Sequence, residues 1–358
     1  ESLGGCNMNR PTTFLAMVMP LLALTWKKAW FRYISFGIAL AVLPFLPGMS
    51  SSNATLLGNV VYFSIAALGF QVLLGYSGQI SLGHTAFIGV GAYASGYIFK
   101  ELGLPFPTAF IAAAVLPFVM GLVLGLIALR LEGYYLAIAT LGLAESIRIV
   151  FIEAHGVTRG FSGFFSNYPR VLGYQFTKGS TYVLMVAILV ALMILVYNFI
   201  NAATGRALAA MRSSQAAAQA MGISLFKYKL MAFAISTGFA GIAGAMYMHF
   251  FRYSDPTIWN SGVSLNLVVA CIVGGIASIE GAVIGAAFVV AMPEFLRLVP
   301  GIGSINGASF VLSGIVIILV LLFYPGGLVN VASDIGKLRR RFSKSSKQPE
   351  RSTEHGAD

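Results

Sequence analysis

Charged side chains are scarce in this chain. Lys, Arg, Asp and Glu make up 10% of its 358 residues, and only 12 are acidic, whereas a soluble domain carries about 25% charged residues. A water-soluble globular domain is thereby excluded. Two cysteines, Cys6 and Cys271, are too few and too far apart for a disulfide framework or a metal knuckle. Cys271 lies inside an apolar run and reads as a small packing residue. His84, His155, His249 and His355 have no ligand spacing among them, so no metal site is expected. No G-x-x-x-x-G-K-[ST] segment occurs, which leaves the chain without a P-loop for hydrolysing ATP. Neither paired acids nor a Ser-His-Asp arrangement offers a catalytic residue, so a membrane enzyme ranks last among the functional classes. No cleavable leader is expected: residues 14–24 are apolar, but Lys27 and Lys28 stand where small residues would be needed. That segment is too short to span a bilayer, and residues 1–29 read as an interfacial or packed helix.

What the chain does have is apolar sequence: 58% hydrophobic residues and a mean hydropathy of +0.83. Runs such as 180–200, 229–250 and 307–323 have the length of membrane helices, about 18 residues or more. They lack the short alternating segments of a membrane β-barrel. The fold class is therefore an all-α polytopic membrane protein with about ten transmembrane helices. The expected spans are roughly 30–47, 56–75, 80–99, 105–129, 133–151, 180–200, 229–250, 262–279, 281–297 and 307–323. The pairs meeting near 75–84 and 275–281 leave re-entrant elements open as alternatives to full crossings. An even count puts both termini on one side. If that side is cytoplasmic it holds Arg10, Lys27, Lys28, Arg32, Arg130, Arg206, Arg212, Lys227, Lys229 and the basic tail, sixteen of the 23 Lys and Arg residues. The excess of positive charge favours cytoplasmic termini. The net charge of +11 thus reflects topology and not a nucleic-acid partner. Residues 30–330 form the transmembrane domain, and 331–358 read as a basic, disordered cytoplasmic tail.

Two connections are long. Residues 152–179 fall on the outer side and mix aromatics, glycines and charges, as either a surface loop or a docking surface for an outer partner. Residues 201–228 (NAATGRALAAMRSSQAAAQAMGISLFKY) fall on the inner side. They have good helix propensity but too many polar residues to span. Small side chains allow close backbone approach, and Arg206 and Arg212 can pair with acidic groups of another protein; a helix lying on the bilayer is the alternative.

Polar groups and irregular backbone at membrane depth survive only where they are buried or line a cavity. The stretch GYSGQISLGH at 75–84 therefore supplies candidate pathway or gate residues: Gly78, Gln79, Ser81, Gly83 and His84. Thr140 is a further candidate. His84 is either a substrate or gate contact or a histidine satisfied inside the bundle. Gly275 and Ser278, in VGGIASIEG, form a second glycine-rich hinge that echoes the first, and paired broken helices mark binding regions in transporters. Glu145 and Arg148, three apart on one helix, read as a structural ion pair.

The inner loop is similar to the EAA-type coupling segment of ABC importer permeases: Ala217, Ala218 and Gly222 match its pattern, while Ala216 stands in the glutamate position. The longer run TGRALAAMRSSQAAAQAMGISLFKYKLMAFAISTGFAGIAGAMY closely resembles the LivM/LivH group of branched-chain amino-acid permeases, its LivM members most of all. GYSGQISLGHTAFIGVGAY, LRLEGYYLAIATLGLAESIRIV, VGGIASIEGAVIGA and YPGGL follow the family in the same order, so the resemblance covers roughly residues 56–330. It implies an importer subunit of the bacterial inner membrane that moves branched-chain or related amino acids. It also implies a LivH-like second permease subunit, two LivG/LivF-like subunits that bind ATP and Mg, and a periplasmic substrate-binding protein. No cofactor would be bound in this chain. Gly205, Arg206, Arg212, Ala217, Ala218 and Gly222 would then couple the chain to the ATPases. The competing reading is a stand-alone, ion-coupled secondary transporter of small polar solutes. It would need buried carboxylates, of which Glu145 is the clear one in mid-to-outer span.

Overall fold

In a computed structural model, the structure describes residues 29–45, 50–128, 133–171, 173–299, 305, 307–324 and 326–329. The expected N-terminal segment up to residue 28, Arg130 and the basic tail lie outside the described residues. Among the described residues, a helix lies in each of the ten apolar runs: α1 (Ala29–Val42), α2 (Ser51–Gln71), α3 (His84–Lys100), α4 (Phe106–Ala128), α5 (Tyr134–Glu153), α6 (Lys178–Asn201), α9 (Leu225–Phe251), α10 (Ser261–Gly274), α11 (Ile279–Arg297) and α12 (Ala308–Phe323). Between α6 and α9 stand two short polar helices, α7 (Ala203–Ser213) and α8 (Gln215–Ala220). Among the described residues, six helices are long and apolar enough to cross a membrane by length and composition: α2 with its extension to Tyr76, α4, α5, α6, α9 and α11. The helices α1, α10 and α12 are apolar but shorter, and α3 has 17 residues.

The core is organised around α9 and α2, whose most apolar windows are 72% and 78% buried; the same windows of α4, α5, α6 and α11 are 22–39% buried. Helix α9 packs on α4, α3 and α2, and α2 packs in turn on α11. Small residues permit this contact. A Cβ on Gly241 would overlap the Ala113 carbonyl and the Pro117 ring of α4, and one on Gly244 would overlap the Ile88 carbonyl of α3. Backbones that approach this closely gain dispersion contacts over their whole length, the main attraction between helices that lipid tails cannot distinguish by hydrophobicity.

Helix α10, at 14 residues, ends earlier than the expected 262–279 and spans only about 21 Å at 1.5 Å per residue, short of the ~30 Å hydrocarbon core. The chain compensates before it. After α9 the segment leading to Asn260 bends inward, and Trp259 is buried with its ring 5.0 Å from that of Tyr247. Trp259 Nε1 donates to Ser254 Oγ at 2.9 Å, and Asn260 caps α10 by accepting from the Gly262 N–H at 2.9 Å. Irregular backbone inside the bundle is thus paired.

The long loop 152–179 folds over one end of the bundle. Its strand β1 (Phe164–Phe165) pairs antiparallel with β4 (Tyr253–Ser254), and β2 (Arg170–Val171) pairs with β3 (Tyr174–Gln175). Lys100 Nζ donates to the Phe165 carbonyl at 2.7 Å, and buried His249 joins Ser95 Oγ (2.9 Å) to the Asn167 carbonyl (3.1 Å). The second histidine in the membrane runs is therefore a rivet for the loop. At the opposite end lie α7, α8 and both hinges.

Candidate functional site

The site is built where α2 ends. Its last turn widens into a π-helical turn, Val72–Tyr76, a form that recurs at functional positions. The chain then runs irregularly to His84. Gly78 has φ of +72°, a left-handed conformation that glycine adopts without a Cβ penalty. Side chains from two other helices satisfy the broken backbone, and one from a third holds His84. Thr140 Oγ1 of α5 accepts from the Leu82 N–H at 3.0 Å, and Ser264 Oγ of α10 accepts from the Thr85 N–H at 2.9 Å. Ser236 of α9 lies 2.7 Å from His84 Nε2, while His84 Nδ1 lies 3.2 Å from Ser81 Oγ. His84 is fully buried, and the rings of Phe70, Phe87 and Phe233 stand edge-on around it. Both imidazole nitrogens are occupied within the bundle. Gly83 fits because a Cβ there would sit 2.5 Å from the Thr140 carbonyl oxygen. Gln79, also buried, donates to Ser77 Oγ at 2.6 Å and to the Lys229 carbonyl at 3.3 Å.

The second hinge is docked on the first. Gln71 Nε2 donates to the Gly275 carbonyl at 2.8 Å, and the Tyr76 hydroxyl donates to the Ala277 carbonyl at 2.7 Å. Gly275 (φ +124°) and Ala277 (φ +63°) hold conformations unusual for L residues, and the close approach of Gly75 to the Ala277 backbone leaves no room for a larger residue. Ser278 caps α11 by accepting from the Gly281 N–H at 3.0 Å. Gly326 and Gly327, which follow α12, lie against Gly275. Three segments distant in sequence thus converge on one joint.

The third component is the inner loop. It is two helices and not one, because Ser214 takes an extended conformation and its side chain accepts from the Ala217 N–H at 3.2 Å, starting α8 anew. Helix α7 packs against the π-turn of α2, with Arg212 Cγ 3.7 Å from the position a Gly78 Cβ would take. The expected coupling residues divide by exposure. Gly205 and Ala218 face inward, while Arg206, Arg212, Ala217 and Gly222 are exposed. Gly205 is buried at the α6–α7 turn against the Ile200 carbonyl. Arg206 Nη1 donates to the Asn201 carbonyl at 3.1 Å. Gly222, at φ +81°, closes α8 in a Schellman arrangement: its own N–H bonds to the Gln219 carbonyl, and the Ile223 N–H bonds to the Ala218 carbonyl, both at 3.0 Å. Met221 beside it is 83% exposed, a large apolar side chain presented outward on a polar loop.

Glu145 and Arg148 do form an ion pair, Nε to Oε2 at 2.5 Å, on α5 and apart from the joint. Among the described residues no group of three or more His, Cys, Asp and Glu could hold a metal. The joint residues that sequence reading missed are Gln71, Tyr76, Ser77, Ser236 and Ala277. Gln71 and Ser236 were visible as polar residues inside apolar runs; Ala277 carried no sequence signal, since nothing in an alanine announces a positive φ.

Buried broken helices beside a short exposed helical loop, with six helices among the described residues long and apolar enough to cross a membrane, mark a multi-pass membrane protein. The chain belongs to the family of permease components of branched-chain amino acid transport systems, which matches residues 52–321. It is 28% identical over 339 residues to the high-affinity branched-chain amino acid transport system permease protein LivM of Escherichia coli K12, covering 86% of this chain and 78% of the relative. A probable branched-chain amino acid transport permease protein LivH of Methanocaldococcus jannaschii is 26% identical over 308 residues, 80% of this chain and 95% of that one. The ribose import permease protein RbsC of Haemophilus influenzae is 25% identical over 228 residues, 61% and 67% of the two chains. No solved structure matches the chain. The protein is thus a permease subunit of an ABC importer, and the stand-alone ion-coupled carrier is set aside.

Proposed function

We propose that this chain is the LivM-like half of a heteromeric membrane pair that moves branched-chain amino acids across the bacterial inner membrane. Its ten apolar helices would make up the membrane domain, with both termini and α7–α8 in the cytoplasm and the 152–179 cap facing the periplasm. One of two LivG/LivF-like ATPases would dock on α7–α8 through Arg206, Arg212, Ala217 and Met221, the other on the second permease subunit, and a periplasmic binding protein would deliver substrate at the cap. The reading rests on one observation above the others: α7 is seated on the π-turn of α2, at the joint where the two hinges bond to each other. A displacement of α7 by closing ATPases therefore reaches α2 and α11 together. Hydrogen bonds between hinges, unlike lipid contacts, transmit direction as well as force.

In this mechanism His84, Ser81, Ser236 and Thr140 hold the upper lip of the first hinge, and Gln71 and Tyr76 tie it to the second. Substrate would pass beside these segments when the joint opens, so their role is gating and not recognition. The test is uptake of radiolabelled leucine, ribose and acetamide by proteoliposomes carrying the chain with its permease partner, ATPases and binding protein. Leucine uptake that requires ATP and all partners is expected. ATP-dependent ribose uptake without leucine uptake would replace the substrate assignment, and uptake by the chain alone would overturn the mechanism.

A further inference from the structure

A cavity flanking the bundle lies between α1, α6 and α11, away from the joint. It has a volume of about 570 Å³, lined by Arg32, Tyr33, Phe36 and Ala39 of α1, Met193 of α6, and Glu280 and Ile284 of α11 among others, within the ~300–1,000 Å³ typical of ligand sites. Its mouth is polar and its body apolar. Arg32 and Glu280 form an ion pair there, their side chains 44% and 39% exposed. Both belong to the first turns of their helices, and Trp30, half exposed two residues before Arg32, is the kind of residue that sits at headgroup level. From Arg32 to Ala39 the groove runs about 10 Å along α1 at 1.5 Å per residue. Its flanks, Ile34, Ile38 and Ile284, are exposed apolar side chains, so the groove is bordered by apolar surface.

We infer that this groove is a binding site for a zwitterionic aminophospholipid, one acyl chain lying along Phe36, Ala39 and Ile284 and the headgroup spanning the ion pair. The pairing of charges selects this class. Arg32 engages Glu280 Oε1 through Nη2; among the described residues its other guanidinium nitrogens have no recorded partner, and neither has Glu280 Oε2. The guanidinium has five N–H donors in all. A phosphate would take the spare Arg32 donors and a primary ammonium would take Glu280 Oε2. An anionic lipid would meet a mouth whose charges already cancel, and a choline headgroup could not donate a hydrogen bond to the carboxylate.

The test is native mass spectrometry of the purified, delipidated transporter complex titrated with phosphatidylethanolamine, phosphatidylcholine or phosphatidylglycerol in mixed micelles. One phosphatidylethanolamine per copy of this chain is expected, retained about 10-fold better than phosphatidylglycerol, as for one charge-assisted hydrogen bond. Glu280→Gln should erase the preference for ethanolamine over choline, and Arg32→Gln should weaken all three. Ala39→Trp, which fills the groove and keeps the ion pair, should remove the bound lipid; Ile284→Trp serves the same purpose should Ala39→Trp fail to assemble. Equal retention of the three lipids, or wild-type retention in the groove-filling variants, overturns the proposal. So does displacement of the lipid by millimolar leucine, which would assign the mouth to a free amino acid. A chain lacking residues 1–28 that binds a lipid the full chain does not would also overturn it, by making that segment the occupant.

Discussion

His84 illustrates how a polar residue at membrane depth is resolved. Its two nitrogens meet Ser81 and Ser236, and three phenylalanine rings enclose it. Replacing it with alanine leaves two hydroxyls without their partner and opens a void in a packed interior. His84→Ala should therefore cost about 2–4 kcal/mol, seen as a lower midpoint of thermal unfolding in detergent. Unchanged stability with abolished uptake would instead place the imidazole in direct contact with substrate. Gly222 is constrained for a different reason. A Cβ there meets nothing within 4 Å, but φ is +81°, a conformation that costs an L residue roughly 1–2 kcal/mol and a β-branched one the most. Gly222→Val should refold the end of α8 while the rest of the bundle keeps its stability. Basal ATPase activity should persist in the assembled transporter, and uptake per ATP should fall several-fold; normal uptake would remove Gly222 from coupling.

Among the elements, the pairing of the hinges is what turns two broken helices into one device. Tyr76→Phe deletes the hydroxyl bond to the Ala277 carbonyl and leaves the ring in place. A loss of about 1 kcal/mol is expected, with a larger effect on uptake than on unfolding temperature if the joint transmits motion. Much of this region was legible in the sequence: glycines and polar residues between apolar runs locate both hinges, and the alanine-rich loop between charged residues locates α7–α8. The contact between hinges was not legible. Gln71 and Gly275 are 204 positions apart, and only the packing of α2 on α11 brings them together. Nor did the loop's helix propensity show the break at Ser214, because a serine that caps its own following helix has the same composition as one inside a longer helix.

For the whole molecule, the 152–179 cap and the α7–α8 loop occupy opposite ends of the bundle, joined by α6, whose 24 residues span about 36 Å. If the basic residues set the orientation, a membrane-impermeant maleimide should label Phe161→Cys from the periplasm and Ala217→Cys only after the membrane is opened. Both sites are exposed, and Cys6→Ala with Cys271→Ala provides the unlabelled background. The reverse pattern would invert the topology.

The sequence by itself determined the class of protein and the places of its apolar helices, of both hinges and of the polar loop that carries α7 and α8. Apolar run length, glycine and charge placement are local properties, and the solvent a segment can tolerate follows from them directly. The tertiary structure alone decided that the hinges bond to one another, that α7 rests on the first of them, that His84 is held and not free, and that Arg32 meets Glu280 at the mouth of a groove. Each of these joins residues far apart in the chain, and such distances are set by how helices pack, which no local pattern encodes.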